Sequence, residues 1–445
     1  MKYITKTVLS MGNKKGIFLG MNFETVFGIK KGSIIEIEFK KSDKKCFIIS
    51  RMNYNIVLRR VAEKELNLKI NDKIQLGIRQ IYNTARPKSI FSNGLIDLLY
   101  FVPVDIISIE FIKNEEKWLR LWKSHDRGSS RQIEIRRYIG IEPFGRILGQ
   151  LQAEGTKKPI NVEFCNTLMS EHKEFSSVLK LIGVDSILVR YVSKNNYLLI
   201  KTIVRSSILA AILLNAMNEV RRVLVEKEID RELKILVNAF FSKVLIGDGT
   251  IDINRRKVPN VSIKIVDINK KHLEDYSSIM KKLGFASKID YKHILVKSSC
   301  SFDNLLYLYG IRAFENSNNW NKLLVSIAMV LEGRRLTTYL RFIEFLKLER
   351  FDSLYIKKKY NVVLRSANDW LNNKEKEGYV RRVDNRSPVK YVLTSKAVDL
   401  ANMLISWEKE FDIIKNSSHT NNLLDLRDSL MIRKSIYYPK RLANA

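Results

Sequence analysis

The chain has 445 residues, too many for one core, and its 78 Lys plus Arg against 47 Asp plus Glu leave a formal charge of +31 spread along its length. Such a surface is drawn to polyanions, nucleic acid first among them, although charge alone does not separate DNA from RNA. With no long apolar run and no signal pattern at Met1, neither a membrane span nor export is expected. The scattered Cys46, Cys165 and Cys300 exclude a disulfide framework and a zinc site, so a cytoplasmic protein is expected.

Residues 1–81 read as a small β domain, with strands at Ile17–Leu19, Ser33–Phe39, Cys46–Ser50, Ile56–Arg59 and Lys73–Ile78 separated by polar turns. Phe27–Ile37 matches Leu66–Leu76 in pattern: helix-like segment, polar turn, strand. That double use resembles the small β-barrels of AbrB or double-psi type, which implies DNA binding or pairing, with a structural or docking role equally open. Residues 82–132 are a connector, apolar from Leu95 to Ile107. A short helix is predicted at Glu116–Lys123 from Trp118 and Trp122 four apart, and His125-Asp126 falls in a polar surface loop. Arg131–Ile139 alternates like a strand.

Two stretches then say the same thing twice. Ile147–Gly155 (ILGQLQAEG) and Phe241–Gly249 (FSKVLIGDG) are apolar runs of helical length that close on small residue, acid, glycine, each followed by Thr (Thr156, Thr250). Small residues four apart, Gly149 and Ala153, clear a path for a partner helix. The second copy puts Lys243 where the first has Gly149, with Ser242 beside it as the small residue. The glycine after each acid is expected to end its helix in the left-handed conformation. Glu154 and Asp248 then stand at helix C-termini, among unpaired carbonyls that repel anions and suit a hard divalent cation. In this order of residue types both stretches resemble the signature helix of the LAGLIDADG homing-endonuclease family, and two copies in one chain its monomeric two-repeat form.

The downstream segments support a repeat, since Phe175–Gly183 aligns with Tyr276–Gly284 without a gap. Strands are predicted at Asn161–Cys165, Ile187–Val192, Tyr197–Val204, Val261–Val266, Ala286–Tyr291 and His293–Val296. Helices are predicted at Ser170–Ile182 and Lys270–Leu283, with further ones opening at Ser206 and Phe302. The resemblance implies an α+β fold in which two pseudo-symmetric αββαββα repeats, 133–235 and 236–331, form a DNA-binding saddle over the major groove. It implies Mg²⁺ held by Glu154 and Asp248 with the carbonyls of Ala153 and Gly247, and DNA contacts from Asn161, Glu163, Asn166, Arg190, Lys194, Asn195, Arg255, Arg256, Lys257, Lys264, Lys288 and Lys292. It also implies a basic residue near the end of the last strand, Lys297 in the second half and either Lys201 or Arg205 in the first; Val204-Arg205-Ser206-Ser207 copies Val296-Lys297-Ser298-Ser299.

Residues 332–412 change texture. Helices at Tyr339–Leu348, Ser353–Tyr360 and Ser366–Glu377 precede a basic hairpin from Arg381 to Thr394 and a closing helix Ser395–Phe411, and 413–445 is a basic tail. Three helices and a hairpin resemble a winged helix-turn-helix, which implies DNA contacts from Arg365, Ser366, Asn368, Asp369, Asn372, Arg381, Arg382, Arg386 and Lys390, with protein docking as the alternative use. Two functions remain in view: a Mg²⁺-dependent, site-specific endonuclease of double-stranded DNA, or a non-catalytic DNA-binding regulator or replication factor, similar in outline to the WhiA-type bacterial regulators. The LAGLIDADG pair implies a monomer, with self-association open to the N-terminal domain.

Overall fold

A computed structural model describes residues 3–12, 14–20, 23–30, 33–51, 55–57, 60–123, 131–155, 160–185, 187–194, 197–254, 260–333, 337–384 and 386–415. The His125-Asp126 loop, Thr156, Asn195, Arg255-Arg256-Lys257 and the tail from 416 lie outside them. The chain divides into two compact units, Met1–Arg221 and Arg222–Ala445. The secondary structure is mixed α and β, and every strand pair between the elements below is antiparallel.

The first unit opens with β1 (Tyr3–Thr7), β2 (Leu9–Met11), β3 (Lys14–Phe18), α1 (Phe23–Phe27), β4 (Ile34–Lys41), β5 (Lys44–Arg51), β6 (Asn55–Val57), α2 (Arg60–Glu65) and β7 (Lys73–Gln80). These strands form two open sheets, β1-β7-β4-β5 and β2-β3-β6, around one apolar core, and not the closed barrel expected. Among the described residues the outer strand of each sheet pairs on one side alone.

The faint sequence repeat is a real duplication, set by a step of 39 residues from Phe27 to Leu66. Like pairs with like: β3 pairs β6 with Ile17 opposite Ile56, and β4 pairs β7 with Glu38 opposite Gly77, and each of these pairs is separated by that same step. The buried side chains Ile29 and Leu68, Ile35 and Ile74, Ile37 and Leu76, and Phe39 and Ile78 repeat at it too. Ser33 N donates to Lys30 O at 3.1 Å and Asp72 N to Lys69 O at 3.2 Å, and Gly28 and Asn67 both hold positive φ. A local pseudo-twofold axis therefore passes through both ladders of this domain.

Residues 82–132 are not a plain connector. They hold β8 (Phe91–Ser92), β9 (Leu95–Asp97), a 3-10 turn (Leu98–Phe101), β10 (Ile106–Lys113) and β11 (Glu116–Lys123), followed by β12 (Arg131–Arg136) and β13 (Tyr138–Gly140). The helix expected at Glu116–Lys123 is strand β11. Asn114 and Glu115 both take left-handed φ, making the tight two-residue turn that matches strand twist, and lock β11 onto β10 from Lys113–Glu116 to Ile106–Lys123. Trp118 and Trp122 are an even number of residues apart, so a strand puts them on one face as readily as a helix does.

After β13 come α3 (Ile141–Glu154), β14 (Val162–Asn166), α4 (Met169–Ile182), β15 (Leu188–Lys194), β16 (Tyr197–Val204) and α5 (Ser207–Glu226), inside which the unit boundary falls. The second unit continues with α6 (Arg231–Asp248), β17 (Gly249–Asn254), β18 (Asn260–Val266), α7 (Lys270–Lys282), β19 (Ala286–Asp290), β20 (Leu295–Ser299), α8 (Phe302–Gly310) and α9 (Asn318–Gly333). Sheet order is β14-β16-β15 in the first half and β17-β18-β20-β19 in the second. The halves share hydrogen bonds at a step of 101 residues, the step from Phe175 to Tyr276. Leu168 N donates to Asn166 Oδ1 and Asn269 N to Asp267 Oδ1, both at 2.8 Å. Val184 N donates to Leu179 O and Phe285 N to Met280 O, both at 2.9 Å, around Gly183 and Gly284 with φ of +99° and +83°.

The unit closes with α10 (Thr337–Phe345), α11 (Ser353–Tyr360), α12 (Leu364–Lys376), β21 (Val380–Asp384), β22 (Lys390–Leu393) and α13 (Ser395–Lys415). Just before α11, Phe351 forms an isolated antiparallel bridge to Tyr391 of β22. Phe342, Phe345 and Phe351 are buried there with Leu371 of α12. Trp407 of α13 donates to Leu324 O at 3.2 Å, tying this module to α9. No described helix is long and apolar enough to cross a membrane.

Candidate nucleic-acid interface

In the first half, α3 ends on Glu154, half-buried, and burial pushes its carboxyl pKa up. Gly155 does not take the left-handed conformation expected. It is extended, with φ −87° and ψ 147°, and Gly249 repeats it with φ −94° and ψ 147°. The glycine is required for space: a Cβ at Gly155 would lie 2.4 Å from Leu151 O, and one at Gly249 2.5 Å from Leu245 O. In each half the backbone leaves the helix directly into a sheet, Gly155 bridging Phe164 and Gly249 pairing Ile265; Phe164 and Ile265 again stand 101 residues apart, the two glycines 94.

One face of each sheet is covered by a helix. Phe164 of β14 lies against His172 and Phe175 of α4, and Ser287 of β19 exchanges a 2.9 Å hydrogen bond with Ser277 of α7. The other face is where the predicted cations stand. In the first half Cys165, Lys201 and Arg190 are directly opposite one another across β14, β16 and β15. Lys201 thus lies on the open face, whereas Arg205 follows the end of β16. The local sequence copy that offered Arg205 is therefore out of structural step, because Val296-Lys297 lies within β20. In the second half Thr250, Lys264, Lys297 and Lys288 form one row across β17, β18, β20 and β19.

Other predicted contacts have local duties. Asn166 spends its side chain on the turn into α4, and Glu163 and Asn161 are half-exposed. Lys194 closes β15, and Lys292 sits exposed in the β19–β20 turn with its N–H on Asp290 Oδ1 at 3.1 Å. Lys264 is 2.6 Å from Asp252 Oδ2, and this hydrogen bond holds the Asp252 carboxyl below its ordinary range, helped by Lys297 and Lys322. Neither Asp252 nor Lys322 was named from the sequence. The strand β17 was not recognised, and Lys322 arrives from α9, where Asn319 clips the helix to β17 by donating to Gly249 O at 3.2 Å. Within α6, Lys243 is buried, and Ser242 folds back onto Ala239 O at 3.0 Å.

In the C-terminal module Arg365, Ser366, Asn368 and Asp369 are exposed on α12, as are Arg381 and Arg386 on the hairpin. Asn372 accepts from Arg382 at 3.1 Å, and Arg382 also pairs with Glu375 at 2.9 Å, so these two pin the hairpin to α12. Lys390 is paired with Asp352, the N-cap of α11. Burial pushes the Asp352 carboxyl up, but Lys390 and the Tyr355 N–H more than offset it and hold the pKa below the usual aspartate value. Among the described residues no cluster of three or more metal-ligating side chains occurs within either unit.

Similarity to solved structures is broad but shallow. The chain resembles mesophilic variants of the homing endonuclease I-DmoI at 14% identity over 38% of this chain and 95% of that one, with a TM-score of 0.29. I-DmoI solved in complex with DNA and Mn is similar at 14% identity over 40% and 98%, with a TM-score of 0.28. Full-length DUF199/WhiA from Thermatoga maritima is similar at 14% over 53% and 91%, with a TM-score of 0.29. A search of curated proteins returns no match. Residues 236–316, from the middle of α6 past α8, match the family model described as a LAGLIDADG-like domain.

Proposed function

We propose that the protein is a site-specific DNA endonuclease of LAGLIDADG type, with residues 133–235 and 236–331 as two repeats that together form a saddle on double-stranded DNA. The observation that carries this reading is the recurrence, at matched residues, of helix, acid, extended glycine and strand, with a row of cations on the uncovered face of each sheet. Glu154 and Asp248 are the metal-holding acids, with the carbonyls of Ala153 and Gly247. Carbonyls of a last helical turn lack intrahelical donors and carry the negative end of the dipole. A carboxylate whose ionised form is disfavoured by burial, as in Glu154, is stabilised by a cation, and the donor set is all oxygen, as Mg²⁺ prefers. When bound, the ion supplies an activated water and neutralises charge on the scissile phosphate. Lys201 and Lys297 are the basic residues of the two half-sites. The reading requires both carboxylates to come within reach of one ion.

In the same reading α10 to β22 act as a winged helix, with Arg365, Ser366, Asn368, Arg381 and Arg386 toward DNA, while Asn372, Arg382 and Lys390 hold the hairpin in place. The duplicated N-terminal domain serves as the AbrB- or double-psi-like docking or DNA-binding element. The buried Lys243, standing where α3 has Gly149, favours a second reading in which the scaffold grips DNA as a regulator without cutting it. Incubating the full chain with a pooled duplex library and Mg²⁺, beside Glu154→Gln and Asp248→Asn, separates the two. Cutting that falls on the order of a hundredfold or more in both variants with binding retained is the outcome expected of the nuclease. Sequence-selective binding without cutting by the parent chain sinks it in favour of the regulator.

A further inference from the structure

We infer that Asp252 is a built-in counterion for the lysine row of the second half, and that the phosphate backbone of a nucleic acid takes its place on Lys264 when it binds. The inference rests on the DNA-binding part of the reading above and not on cleavage. Three lysines, 264, 297 and 288, stand directly opposite one another on neighbouring antiparallel strands, and like charges so placed destabilise a sheet. All three lie on the face turned away from α7. Lys322 brings a fourth positive charge to the same neighbourhood from α9, which Asn319 fastens to β17. A fold that concentrates cations in this way is suited to a regularly spaced polyanion, and the row runs across the sheet from Thr250, two residues beyond the acid that ends α6.

Asp252 lies on the same face one step along β17 from Thr250, at 2.6 Å from Lys264 Nζ, with half of its side chain exposed. An ion pair open to water contributes little and is readily exchanged. The carboxylate is therefore a counterion that water or phosphate can reach, and while it remains in place it repels a backbone that approaches Lys264. Removing its charge is expected to act in two directions at once: the free sheet loses compensation for its lysines, while the affinity for any duplex rises. The first half is built differently: the row matching Lys264 at the 101-residue step is Glu163, Ile203 and Leu188, and its two opposed cations, Lys201 and Arg190, stand elsewhere along the strands.

The test is a fluorescence-anisotropy titration of the full chain with a labelled duplex of mixed sequence, repeated over a salt series, for the parent, Asp252→Asn, Lys264→Gln and the double variant. Asp252→Asn is expected to bind about threefold tighter with the log–log salt slope unchanged, because the phosphate contact on Lys264 forms in both proteins and only the competing carboxylate is lost. In the Lys264→Gln background the gain is expected to shrink, leaving only the general repulsion between the carboxylate and the backbone. Asp252→Asn that binds no tighter than the parent, or a gain undiminished without Lys264, overturns the counterion role while leaving DNA binding intact. A parent chain that fails to bind duplex DNA overturns this inference together with the proposed function.

Discussion

The two halves around Glu154 and Asp248 share hydrogen bonds at matched residues yet differ in what braces them. In the first half, Gly183 at the end of α4 lies under Trp118 of β11, so close that an added Cβ would come within 2.6 Å of the ring. In the second, the matching Gly284 faces open space, and Lys282 of α7 instead donates to the last carbonyls of α5, Leu224 and Val225 among them. The inner geometry of the repeat is thus fixed by its own short-range bonds, while its outer surface is free to meet a β-sheet in one copy and helical carbonyls in the other. The same helix–acid–glycine–strand corner is kept beside different neighbours.

That contrast is open to experiment. The largest effect is expected from Gly183→Ala, which combines left-handed strain with a clash against Trp118 and is expected to cost about 3 kcal/mol of unfolding free energy in denaturant melts. Gly155→Ala and Gly249→Ala are expected to cost about 2 kcal/mol each, and to agree with one another, because the obstructing carbonyl is placed alike in both. A large difference between them would mean that the corners are not equivalent. Gly284→Ala, with strain but no clash, is expected to cost about 1 kcal/mol, and a loss as great as that of Gly183→Ala would remove the assigned role of Trp118.

The smallest effect concerns charge. Burial raises the Glu154 pKa, so the folded state holds its proton more tightly than the unfolded chain and is destabilised once pH rises above the ordinary glutamate range. Glu154→Gln is expected to raise the melting temperature by about 2 °C at neutral pH, with the gain vanishing on acidification through the glutamate range. A gain that is flat with pH would assign it to packing instead.

Much of this was readable before any coordinates. The gapless match of Phe175–Gly183 with Tyr276–Gly284 became two helices with the same cap, because apolar spacing and a terminal glycine are local signals. That each acid ends its helix is legible for the same reason. What escaped was non-local or ambiguous in period. Trp118 and Trp122 fit either a helix or a strand, and only the Asn114-Glu115 turn decides between them. Arg205 imitated Lys297 in sequence while lying beyond its strand, since register across a sheet is not written in any one strand. Asp252 carried no motif, and its importance comes from Lys264, brought alongside by the β17–β18 hairpin. Lys322 joined them from far along the chain.

The N-terminal domain shows what fusing two copies into one polypeptide permits. At the centre of a true homodimer every residue on the axis meets its own twin, so a glutamate there would confront a second glutamate. Here the twin position is Gly77, and Glu38 instead accepts from the Tyr3 hydroxyl at 2.7 Å and lies 3.4 Å from Lys45. A repeat carried within one polypeptide is released from the rule of sameness, so a carboxylate is buried at the one place where two identical subunits would have had to keep it neutral.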